Sequence, residues 1–168
     1  MFRIDILNMY WLSGQAEETD LCAHGTVRIH IGREVLEDDV SLSAAALHLL
    51  RSVTEDHEPD ALAKLFPTDG FCWTPDGEGS IYLGGCPCGG FDGYVTHEGD
   101  IVRIALEGLP AESMPLAEYR AEVFDLADQV EVFFRQSKPK VVIGELDKLW
   151  YPLFWEEWRR LRGDVENP

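Results

Sequence analysis

The sequence predicts an α+β protein: an antiparallel sheet of about five or six strands with two or three helices packed on one face. Three observations carry this. Several short segments alternate apolar and polar residues with a period of two, as half-buried strands do. Two longer segments repeat apolar residues at three- and four-residue steps, as helices do. Glycine- and proline-bearing stretches fall between them. The 168 residues suit a single domain spanning 1–168, and a hydrophobic share of 45 % with five Trp and eight Phe argues against disorder.

Residues 2–7 place Phe2, Ile4 and Ile6 on one face of a strand, and the apolar Tyr10, Trp11 and Leu12 extend it. Residues 13–19 read as an exposed loop. A second strand covers 21–31, with Val27, Ile29 and Ile31 inward and Arg28 and His30 outward. Gly32 and Arg33 turn the chain into a short strand over 34–36, and Glu37, Asp38 and Asp39 read as an acidic turn. Ser41 or Ser43 then caps a helix running to Val53, with Leu42, Ala46, Leu49, Leu50 and Val53 as its stripe and His48 at its boundary. Pro59 stops it within the acidic stretch of Glu55, Asp56, Glu58 and Asp60.

Residues 61–66 suit one helical turn. Residues 70–74 and 80–83 flank strong turn chemistry and form a hairpin, and 93–97 pairs with 101–107 around Gly99. Ser113 caps the longest helix, with Pro115 in its first turn and Leu116, Tyr119, Val123, Leu126, Val130 and Phe133 as its stripe down to Ser137. Residues 141–143 suit a brief strand or an extended connector. Pro152 opens a last helix whose stripe is Phe154, Trp155, Trp158 and Leu161.

Mid-chain, residues 84–90 hold Cys86, Pro87 and Cys88 among four glycines, a loop able to turn sharply. Three readings stay open for its thiols. One is zinc, with Cys22, His24 or Cys72 brought near by folding, since thiolate and imidazole suit that ion. Cys22 and His24 stand two apart on one strand face. The pattern lacks a second pair at zinc-loop spacing. Another is a small Cys86–Cys88 disulfide, without the C-x-x-C spacing of redox motifs. The third is a set of reduced, partly buried core residues.

Charge is the strongest global feature. There are 31 acidic against 14 basic residues, a net of −17. Such a field repels nucleic-acid backbones and anionic membranes and attracts a basic protein partner. The candidate contact residues are Glu37, Asp38 and Asp39; Glu55, Asp56 and Glu58; and Glu118, Glu122 and Asp125. Ordinary solubility explains the same charge without a partner. No signal-peptide pattern opens the chain and no apolar run reaches membrane length, so a cytoplasmic protein is expected. The dinucleotide, P-loop, nucleophile-elbow, zincin and EF-hand motifs do not occur, which favours a binding protein over an enzyme.

Residues 21–27 (Leu-Cys-Ala-His-Gly-Thr-Val), the stretch 40–51, and Gly85-Cys86 with residues 95–99 (Val-Thr-His-Glu-Gly) resemble a group of short bacterial proteins, some of them similar to the immunity proteins of polymorphic-toxin systems. The resemblance implies a non-catalytic protein that sequesters a partner. It transfers no functional residues.

Overall fold

The computed structural model describes residues 1–12, 16–68, 72–85 and 89–163. Cys86, Pro87 and Cys88 lie outside the described residues, as does the side chain of Cys72. The chain is α+β, but its strands form three small antiparallel sheets rather than the single sheet expected.

The first sheet is a meander of β1 (Phe2–Ile6), β2 (His24–Ile31) and β3 (Glu34–Ser41), in that order. Gly32, with φ at +62°, makes the two-residue turn that joins β2 to β3. Inward residues Phe2, Ile4, Val27, Ile29 and Ile31 are buried, as alternation requires. β3 is eight residues long, and Glu37, Asp38 and Asp39 belong to it, not to a turn. The second sheet pairs β4 (Cys72–Pro75) with β5 (Ile81–Gly84). The third orders β6 (Gly93–Glu98), β7 (Ile101–Leu106) and β8 (Glu112–Pro115), the last unforeseen because Ser113 and Pro115 suited a helix start.

Positions on three of the strand edges are occupied by groups from outside their sheets. Ile4 of β1 donates its N–H to Glu122 (3.5 Å). His57 exchanges backbone bonds with Val95 of β6 (2.8 and 3.0 Å). Ile81 of β5 is capped by side chains described below. An edge already paired does not recruit another strand.

Helix α1 (Leu42–Arg51) is the centre of the molecule. Every residue from Leu42 to Leu50 is buried, as in a helix with apolar or small side chains all round. It touches β2, β3 and two further helices, α2 (Leu116–Gln136) and α3 (Asp147–Arg162). So the helices do not share one face of one sheet. α2 buries Tyr119, Val123, Leu126, Ala127, Val130 and Phe134, while Phe133 is only half-buried and stacks on Trp11 at 4.7 Å. α3 starts before Pro152, which lies inside it, and residues 141–143 form no strand. It packs on β4 through Trp73, Trp150 and Phe154 and ends at Gly163, whose φ of +87° closes the helix. Among the described residues no helix is long and apolar enough to cross a membrane.

Candidate functional site

The last turn of α1 and the chain that follows it build a hollow lined mostly by polar side chains. His48, Arg51 and Ser52 come from the helix end; Glu55, Asp56, His57, Glu58 and Asp60 come from the loop, enclosing about 230 Å³. Asp92 holds this loop in place. Its carboxylate accepts N–H groups of Asp60 (2.7 Å), Leu65 (2.9 Å) and Gly93 (2.9 Å) and pairs with His57 Nε2 at 2.8 Å. Burial alone would raise the Asp92 pKa, yet the hydrogen bonds from His57 and the three amides outweigh it and hold it below the usual carboxylate range. Asp56 is fixed too, accepting the His97 N–H (2.9 Å) and pairing with His97 Nδ1 at 2.8 Å.

His48, expected at the helix boundary, is buried instead, and its ring lies 6.3 Å from that of His57. Its Nε2 makes no hydrogen bond of normal geometry. Burial drives its pKa down to about 3; Arg51 and His57 add to this, while Asp92 and the Leu83 carbonyl pull weakly the other way. The consequence for stability has a definite sign. An unfolded histidine takes up a proton near pH 6.5 that folded His48 refuses until about pH 3, so its contribution is complete above 6.5 and declines as pH falls. The depressed Asp92 carboxyl loses its own contribution only lower, once pH falls below its ordinary value of 3.8. Urea midpoints of the wild-type chain should therefore drop between pH 6.5 and 4.5, and His48→Gln should flatten that interval; an equal drop in the variant would assign it to other groups.

A second hollow of about 310 Å³ adjoins the first and shares Arg51 and Glu55 with it; Asp76, Tyr82, Glu157 and Arg160 also line it. Between the two sits an ion pair whose carboxylate is buried and whose guanidinium is half-buried. Arg51 donates from Nε to Glu157 Oε1 (2.7 Å) and from Nη2 to Oε2 (2.9 Å) and to the Ile81 carbonyl (2.5 Å), while Ile81 N–H donates to Glu157 Oε2 (3.2 Å). Arg51 is thus committed internally. Glu55 and Glu58 are exposed and have no ion-pair partner among the described residues.

Comparison with protein-family models, with curated proteins and with solved structures returned no match.

The three acidic groups singled out from sequence sit on three different elements. Glu37, Asp38 and Asp39 are exposed on β3, where Glu37 pairs with Arg28 (2.9 Å) and Asp39 accepts the Thr26 hydroxyl (2.5 Å). Glu118 and Asp125 are exposed on α2, and half-buried Glu122 turns to β1. Only Glu55, Asp56 and Glu58 line one hollow together.

Cys22 and His24 do come together, lining with Asp20, Trp73 and Asp147 a hollow of about 260 Å³. Cys22 Sγ lies 2.9 Å from Ser41 Oγ, and burial pushes its thiol up to about 12, which works against the thiolate a metal needs. His24 is buried and stacks on Tyr10 at 6.0 Å. Among the described residues no group of three or more His, Cys, Asp or Glu is placed to hold a metal ion. Among the described residues a larger hollow, about 580 Å³, lies between residues 59–64 and the β6–β7 hairpin. Lys64 at its rim donates to the Gly90 carbonyl (3.3 Å), and both Asp92 oxygens are already engaged. Sequence reasoning missed His48, Asp92 and Glu157. For His48 the signal was present: Ala46, Leu47, Leu49 and Leu50 flank it on every side of the helix.

Proposed function

We propose that this is a cytosolic binding protein without chemistry of its own, whose acidic surface meets a basic protein partner. The carrying observation is the pair of adjoining hollows around Glu55. Glu55, Asp56, Glu58 and Asp60 surround one, Asp76 and Glu157 line the other, and the cations there, Arg51 and the exposed Arg160, both lie against Glu157, leaving Glu55, Glu58 and Asp60 without an ion-pair partner among the described residues. Their field is left for an outside cation, and concave walls focus such a field. The hollows suit lysine or arginine side chains projecting from a partner. The resemblance to immunity proteins points the same way, toward a cationic toxin such as a nuclease as the molecule held.

Opposite fields speed encounter more than they deepen the bound state, so salt acts on the association rate. For a partner captured from the native host, raising salt from low to high should slow association by about tenfold or more, with a smaller change in dissociation. Neutralising Glu55, Glu58 and Asp60 to their amides should reproduce much of that loss at low salt. Association indifferent to both changes, or turnover of a substrate in a broad activity screen, would overturn the reading.

A further inference from the structure

Among the described residues, β3 leaves part of its outer edge open. Antiparallel residues alternate the side to which their backbone groups turn. Ser41 stands opposite His24, and His24 exchanges its backbone bonds with Tyr10 on the far side (2.9 and 3.0 Å). By that alternation Ser41, Asp39, Glu37 and Val35 aim their N–H and C=O groups away from β2. Ser41 N–H is taken by the Pro67 carbonyl (2.8 Å) and Asp39 N–H by the Asp38 carboxylate (2.8 Å). The outward groups of Val35 and Glu37 have no partner among the described residues. On β1 the Ile4 N–H is taken by Glu122, on β5 the Ile81 groups by the Arg51–Glu157 pair, and on β6 Val95 by His57.

We propose that this edge takes an extended, basic segment of the partner as a fourth strand of the first sheet, an inference that rests on the partner being basic. Main-chain hydrogen bonds to Val35 and Glu37 supply the pairing, and alternate side chains supply the choice. Charge selects the occupant. Glu34, Glu37, Asp38 and Asp39 border the open groups, and Arg28 answers only Glu37. A second copy of this chain would set the same carboxylates against each other, which opposes pairing. A segment with lysine or arginine at alternate positions meets them. Val35, 54 % exposed, shares a face with Glu37 and Asp39 and offers that segment an apolar seat.

The test uses the full chain labelled with ¹⁵N and a synthetic hexapeptide alternating lysine and valine. The expected result is that amide exchange at Val35 and Glu37 slows about tenfold or more on saturation. Val35→Pro removes the outward donor together with the apolar seat and leaves the β2 ladder intact, so it should weaken binding by about tenfold. A second arm needs no variant. The same peptide, N-methylated at alternate residues, keeps its charge but loses the donors of one edge, and should bind the wild-type chain weakly in one of its two methylation registers. If the peptides bind alike in both arms and protection appears only around residues 55–60, the edge proposal fails while the basic-partner reading stands. If neither the peptide nor any basic protein binds, both fail.

Discussion

Glu157→Ala is expected to lower the unfolding free energy by about 3–5 kcal/mol, read as a shift of the urea midpoint at unchanged slope. Glu157 is 3 % exposed and bonded to groups from α1 and β5. Truncating it strips Arg51 of its counter-charge and Ile81 N–H of its acceptor, and the groups left behind carry most of the cost. Glu157→Gln keeps one acceptor oxygen, which at the Oε2 position can serve both Arg51 Nη2 and Ile81 N–H, and should cost less. The double variant Arg51→Leu/Glu157→Leu should be milder than Glu157→Ala, because no unpaired charge remains. If Glu157→Ala shifts the midpoint little, the pair does not hold α3 to α1 in solution.

Trp158→Ala should be equally severe, about 3–5 kcal/mol, since the indole is fully buried against Phe154 (5.4 Å) and Trp155 (5.5 Å). Trp158→Phe separates packing from polarity. The indole Nε1 has no hydrogen-bond partner, so the phenyl ring removes an unpaired donor while retaining much of the volume. Its expected cost is about 1–2 kcal/mol. Equal losses for both variants would mean that the indole shape, not its apolar bulk, is what the site requires.

What was legible in the sequence follows from the range of the forces involved. The stripe Tyr119, Val123, Leu126 and Val130 is buried as its spacing requires, because helical periodicity is a local property. The alternation in β1, β2 and β7 likewise gave the inward faces. Strand partnership was not legible, since a period of two fixes faces and says nothing of neighbours. Glu37, Asp38 and Asp39 read as a turn because three carboxylates in a row disfavour a strand; β2 overrides this by supplying an eight-residue ladder, and an edge strand keeps its side chains wet. Pro152 was read as a helix start for its missing donor. Inside α3 it forfeits one backbone bond, and burial of Trp150, Phe154 and Trp158 outweighs the loss. Of the acid-rich hollows, Glu55, Asp56 and Glu58 were visible as neighbours in sequence. Asp76 and Glu157 join them only through folding. The thiol loop at Cys86 and Cys88 lies outside the described residues, so the zinc reading keeps only Cys22 and His24 with described side chains.

A two-stranded hairpin is marginal alone in water, and a small sheet gains its stability from what packs on its apolar face. Here α1 is wrapped by the first sheet, α2 and α3, and α3 in turn carries the β4–β5 hairpin. Withdrawing α1 would uncover all of these at once, so the layers share one cooperative unit, and its amides should exchange with solvent only when the whole chain opens. His48 and Arg51 belong to α1, and Ser52 follows directly from it. The acid-rich hollows therefore exist only in the intact molecule: a partially melted chain retains its carboxylates as a loose polyanion but not the concave surface that arranges them.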